Sequence, residues 1–159
     1  MKRWVQWAQH LGGGLFLALF LTFLVQIGAR FGLNRPLPWT DELAVVLYLW
    51  VILWASAFMV REREHVVFDL LWNSAPVGAR RLMKLVGHLL LGGLALAALP
   101  GSWDYVRFMA REGTPVLGIS YQWVFMPFIA LLLALVLRSL LGIWQALRGQ
   151  GLERQDLPS

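Results

Sequence analysis

Trp39-Thr40-Asp41-Glu42, then the apolar run Leu43 to Val60, then Arg61-Glu62-Arg63-Glu64-His65-Val66-Val67-Phe68-Asp69 is the stretch on which the fold turns. Eighteen consecutive residues, Leu43 to Val60, carry no charge. At about 1.5 Å of rise per residue, such a helix approaches the roughly 30 Å hydrocarbon core of a bilayer. The run therefore predicts a transmembrane helix over 43–60. Thr40 is placed to cap it, and Asp41 and Glu42 fall in its first turn, where carboxylates meet the positive end of the helix dipole. Ionisable residues crowd both ends and are missing from the middle, so specific polar work belongs at the two membrane surfaces.

Working outward, three more apolar runs predict spans over about 11–29, 82–100 and 122–146. The basic, Trp-bearing lead before the first run resembles a signal peptide. That run is nineteen residues long, beyond the usual h-region of about 7–15, and it closes on Ile27-Gly28-Ala29-Arg30, so it reads as an uncleaved span. Asn34, Pro36 and Pro38 mark the first loop as a turn. Between spans two and three, Arg61 to Lys84 mixes charge with Val66, Val67, Phe68, Leu70, Leu71 and Trp72, which predicts an amphipathic segment lying along the interface. Span three has two possible ends: Pro100-Gly101-Ser102 stops or kinks it, or Trp103 to Arg111 continues it. Pro127 falls in the first turns of span four, where a missing N–H matters least. The expectation is an all-α integral membrane protein: one four-span domain over 1–148 and a disordered cytoplasmic tail over 149–159.

Composition agrees with that class. Hydrophobic residues make up 58% of the 159, and there are nine tryptophans; mean hydropathy is +0.62. The absence of cysteine removes disulfides, thiol catalysis and thiolate metal sites. A net charge of +5 would suggest nucleic acid in a soluble protein, but in a membrane protein basic residues report topology, so no nucleic-acid partner is expected. With the N-terminus inside, ten of the fourteen basic residues, Arg138 among them, fall on the inner side. Both termini are then cytoplasmic. All tryptophans except Trp50 and Trp54 fall at span ends or in the interfacial segment, as an aromatic belt requires.

Chemistry-bearing patterns are sparse. No predicted span has an ionisable residue near its centre, which argues against a self-sufficient transporter. His10, His65 and His88 map to one side, the arrangement that a haem held between helices would need. There is no phosphate loop and no nucleophile–base pattern, so no enzyme and no cofactor is expected. Two stripes of small residues spaced by four, Gly14-Ala18-Thr22 and Gly93-Ala97-Gly101, are candidates for close helix approach. Three readings stay open: a partner-binding membrane subunit, a haem- or quinone-binding anchor of a respiratory enzyme, and an independent small four-helix transporter.

The motifs add a resemblance. Trp39-Thr40-Asp41-Glu42-Leu43 before span two, Arg61 to His65 with Val67 and Asp69 after it, and Thr114-Pro115-Val116-Leu117-Gly118-Ile119-Ser120 leading to Pro127 resemble the small permease (Q) subunit of tripartite ATP-independent periplasmic (TRAP) transporters over nearly the whole chain. The resemblance implies a multi-pass subunit of the bacterial inner membrane. Its implied partners are a large (M) permease, which holds the sodium and substrate sites and moves as an elevator, and a periplasmic substrate-binding protein that delivers an organic acid. The small subunit looks like the fixed scaffold. Carried over residue by residue, Trp39, Asp41 and Glu42 become candidate outer-surface contacts, Arg61, His65 and Asp69 an inner polar cluster, and Pro115, Ser120 and Pro127 motif positions of the last loop and span.

Overall fold

The computed structural model describes residues 2–32, 34–59 and 76–148. Among them, four helices are long and apolar enough to cross a membrane, and no strand is present beyond one isolated bridge. They are α1 (Lys2–Ile27), α2 (Pro38–Trp54), α3 (Val77–Phe108) and α4 (Tyr121–Leu147). Short π-helical turns, Gly28–Gly32 and Ala55–Met59, prolong α1 and α2, and a 3-10 turn, Met109–Arg111, prolongs α3.

Several boundaries differ from those the sequence suggests, each for a local reason. Thr40 does not cap α2. Pro38 stands at the first helical position, where its fixed φ suits the helix and its missing N–H costs nothing, so the cap moves back to the extended Leu37. Thr40 is then inside the first turn, fully buried, and its hydroxyl donates to the Leu37 carbonyl at 2.7 Å. Residues 77–84, expected along the interface, form the first two turns of α3 instead; the Arg80 N–H bonds the Pro76 carbonyl at 3.1 Å. The rest of that expected segment, with Arg61, His65 and Asp69, lies outside the described residues, as does the tail from 149. Pro100 does not end α3, which runs on to Phe108. Pro127 lies seven residues into α4, past its first turn, so it leaves the Trp123 carbonyl without a helical donor. Arg138 is not at a helix end. The midpoint of α4, halfway between 121 and 147, is residue 134, and nine residues, about 13 Å of rise, separate Arg138 from Leu147.

The chain divides into two compact units, Met1–Met59 with Gly101–Leu131, and Val60–Pro100 with Leu132–Ser159. In the first unit, the less exposed residues of α1 between 8 and 29 are Ala8, Gly12, Leu15, Leu19, Thr22, Gln26 and Ala29. Their spacing alternates four and three, the seam of left-handed helix packing. Thr40, Leu43, Leu47, Trp50, Trp54 and Ala57 follow the same rhythm along α2 and its π turn. Two polar contacts fix α1 against α2: the Trp54 indole N–H donates to the Ala8 carbonyl at 3.0 Å, and the Gln26 amide donates to Asp41. Trp54 also packs on Phe58, ring centroids 4.4 Å apart, within the Ala55–Met59 turn.

In the second unit, α3 and α4 touch where side chains vanish. A Cβ on Gly92 would stand 2.5 Å from the Ser139 Cβ, and a Cβ on Gly142 would fall within the His88 imidazole. Along α3, the less exposed residues between 85 and 109 are Leu85, His88, Gly92, Ala95, Leu99, Ser102, Val106 and Met109, again alternating three and four. Arg81 closes the end of this pair by donating to the Leu147 carbonyl at 2.7 Å.

Candidate functional site

The densest polar construction among the described residues is in the first unit, where the loop between α3 and α4 meets the start of α2. Pro115, with φ preset for a turn, opens a loop that the Gly118 N–H closes onto the Thr114 carbonyl at 3.0 Å. Gly118 itself has φ +66°, a conformation that favours glycine. The loop's flanks pair through the Thr114 N–H to Ile119 carbonyl bond at 2.9 Å and the Tyr121 N–H to Glu112 carbonyl bond at 3.0 Å. Gly113 lies close to the turn, where a Cβ would be in van der Waals contact with the Gly118 carbonyl oxygen at 3.4 Å.

This fold leaves the N–H groups of Val116 and Leu117 pointing out of the turn, and the Glu42 carboxylate accepts both. Its Oε2 receives Val116 at 2.8 Å, and its Oε1 receives Leu117 at 3.2 Å. Thr114 is the hinge of the arrangement. Its hydroxyl oxygen accepts the Ile119 N–H at 2.9 Å, and its hydroxyl donates to Glu42. One carboxylate thus clasps a loop seventy-odd residues away in sequence. Ser120 finishes the loop as a cap for α4: its oxygen lies 3.4 Å from the Gln122 N–H, and its hydroxyl donates to the Ala110 carbonyl at 3.3 Å.

The motif residues therefore take distinct places. Asp41 and Glu42 sit next to each other on α2, one tied to α1 and the other to the loop. Pro115 is exposed in the turn and Trp39 is exposed one turn from the clasp. Ser120 is a helix cap, and Pro127 is buried within α4. The packing candidates fall elsewhere: Gly14 and Gly93 have nothing within 4 Å of a built Cβ, and Ala18 and Ala97 are exposed, so none lies on a described helix contact. The crossings use Gly92 and Gly142. Sequence reading missed those glycines and the Thr114 hydroxyl; the three-four alternation along α3 was the signal that separates Gly92 from its neighbour Gly93.

Below the loop, a cleft of about 370 Å³ opens between Gly101, Ser102, Tyr105, Val106, Phe125 and Phe128. Tyr105, Phe125 and Tyr121 form a ring series with centroids 5.9 and 6.0 Å apart. These walls offer apolar surface and the hydroxyls of Ser102 and Tyr105, without an acid–base pair. No group of three or more potential metal-binding side chains occurs among the described residues.

A family model described as "Tripartite ATP-independent periplasmic transporters, DctQ component" matches residues 19–149. The sialic acid TRAP transporter permease protein SiaT of Haemophilus influenzae is 32% identical over 130 residues, which is 79% of this chain and 21% of that one. The C4-dicarboxylate TRAP transporter small permease protein DctQ of Vibrio cholerae is 30% identical over 55% of this chain and 38% of its own length. The sialic acid TRAP transporter small permease protein SiaQ of the same species is 27% identical over 69% of this chain. Of that relative the alignment covers 64%, so the chain spans less than two thirds of each of these three. A membrane-spanning all-helical chain whose clasped motifs lie within the matched region belongs to the DctQ component family of the tripartite ATP-independent periplasmic transporters, as a small permease subunit.

Proposed function

We propose that this chain is the fixed scaffold of a bacterial inner-membrane TRAP transporter, bound to a large permease that performs sodium-coupled uptake of an organic acid delivered by a periplasmic binding protein. The observation that carries the reading is the alignment with the sialic acid permease: 130 matched residues make up 21% of that single chain. A relative of this subunit thus occurs joined to four times as much permease, which is what a separate large partner would supply here. The chemistry of the helices agrees. Coupling to sodium requires oxygen ligands deep in the membrane, whereas the acids of the described helices sit at the start of α2 and near the end of α3, and the one charge well inside α4 is the cation Arg138.

In this reading both termini are cytoplasmic, and the clasp faces the periplasm. Trp39, Val116 and Leu117, all exposed around Glu42, then form part of the surface offered to the binding protein. Gly14, Ala18, Gly93 and Ala97 are open faces for the large permease.

Reconstitution tests it. Liposomes containing only this chain should show no sodium-driven uptake with any binding protein outside, and co-reconstitution with the large permease should restore uptake. Uptake by this chain alone overturns the scaffold reading. Because Gly14 has open space around it and Ala97 is exposed, leucine at either position should lower recovery of the large permease in pull-downs while leaving the thermal stability of the isolated chain unchanged.

A further inference from the structure

The start of α3 and the end of α4, both in the unit of Val60–Pro100 and Leu132–Ser159, carry a concentration of positive charge. Described residues 76–100 and 132–148 include Arg80, Arg81, Lys84, Arg138 and Arg148 and no aspartate or glutamate. Three of these cations gather at one helix end. Arg81 sits on the C-terminus of α4 through its bond to Leu147, where the last carbonyls lack helical donors and carry the negative end of the dipole. Arg148 follows Leu147 directly, with its guanidinium carbon 3.7 Å from the centre of the Trp144 ring. Lys84 is three residues beyond Arg81, on the same side of α3.

The geometry leaves binding capacity at this corner. A guanidinium has five N–H donors, and Arg81 spends one on Leu147. Stacking holds the Arg148 guanidinium against the indole face, while its own N–H edges remain in the exposed rim. Planar N–H pairs of this kind match phosphate oxygens. Continuing from Arg148 back along α4, Trp144, Leu141, Leu140 and Leu137 are all exposed and share one side, so an apolar stripe leads straight into the basic corner. Trp144 marks the level where an indole anchors at a membrane interface.

We infer that Arg81, Lys84 and Arg148 form a headgroup site for an anionic phospholipid. The phosphate oxygens accept from Arg81 and Arg148, Lys84 adds charge, and an acyl chain lies along Leu140, Leu141 and Leu137. The stripe selects a lipid over free phosphate. Charge selects an anionic headgroup over a zwitterionic one, whose ammonium would meet cations with no carboxylate in described residues 76–100 or 132–148.

The full-length chain is purified and placed in phosphatidylcholine nanodiscs with and without phosphatidylglycerol, and lipid retained after detergent transfer is counted by native mass spectrometry. The wild type should retain phosphatidylglycerol in preference to phosphatidylcholine, and retention should fall as sodium chloride is raised. Each cation near a charged surface is worth about fivefold, so Arg148→Gln should cut the enrichment about fivefold and Arg81→Gln with Arg148→Gln more than tenfold. Arg148→Gln leaves the Arg81–Leu147 bond intact, which keeps the test independent of any loss of folding. Arg107→Gln with Arg111→Gln, at the other end of α3, should change nothing. Unchanged enrichment in the Arg81/Arg148 variant, an equal loss in the Arg107/Arg111 variant, or equal retention of free phosphate overturns the site.

Discussion

Replacing Thr114 by valine keeps the shape of a buried β-branched side chain and deletes the one oxygen that both accepts from Ile119 and donates to Glu42. The Ile119 N–H then loses its acceptor at a position where Thr114 is only 6% exposed. Leaving a buried donor unmade costs about 1–3 kcal/mol. Serine at the same place retains the hydroxyl and removes a methyl, worth about 0.8 kcal/mol when fully buried. The expected order of stability is therefore wild type, then Thr114→Ser, then Thr114→Val. Thermal unfolding in detergent, followed through the tryptophans, measures it, and labelling of a cysteine placed at Val116 reports whether the turn has come off Glu42. Valine should speed that labelling and serine should not. If serine is destabilised as much as valine, the methyl packs the loop and the hydroxyl is incidental, and the account of the clasp fails.

The helix crossing gives a second set of outcomes. Gly142→Ala and Gly92→Ala force a methyl into His88 and Ser139, and overpacking of this kind should lower stability by about 1–3 kcal/mol. Gly93→Ala, one residue away in open space, should be neutral or gain up to about 1 kcal/mol from helix propensity, so equal effects at 92 and 93 in a melting experiment would rule out the assigned face. Trp54→Phe loses the indole bond to Ala8 and should cost about 0.6–1.7 kcal/mol by the same measurement, the range of hydrogen bonds between membrane helices. Cysteines at Arg35 and Trp103 should react with an impermeant reagent from the periplasm, and one at Arg80 should not; reaction at Arg80 from that side would break the proposed orientation.

The four spans were legible because each is a long uncharged run, and the bilayer imposes that length directly. Which face of each run packs was not. A stripe drawn at every fourth residue turns about 40° per step around the helix, so Gly14-Ala18-Thr22 begins on an exposed side and reaches the α2-facing seam only at Thr22. The real seam alternates three and four and passes through Gly12, Leu15 and Leu19. Trp50 and Trp54, the two tryptophans that no aromatic belt explained, lie on that seam, where the Trp54 N–H meets a backbone carbonyl. The motif around Asp41-Glu42 and the motif Thr114 to Ser120 were both visible, but nothing in a linear sequence joins an acid to two amide groups more than seventy residues further on.

That join explains why two acids stand side by side at the start of α2. Consecutive helical residues project about 100° apart, so a pair of carboxylates can reach two different neighbours from one turn. Asp41 takes the Gln26 amide of α1, and Glu42 takes the amides of the loop before α4. The first turn is also where the helix dipole favours negative charge. A lysine or arginine pair would find neither benefit, because the groups to be held are N–H donors. A slip of α2 by a single residue would break both connections together, so the paired acids set the register of α2 against α1 and against the loop at once. Capping alone would account for one acid at this position; two acids with separate partners make the turn a joint between three elements of the same unit.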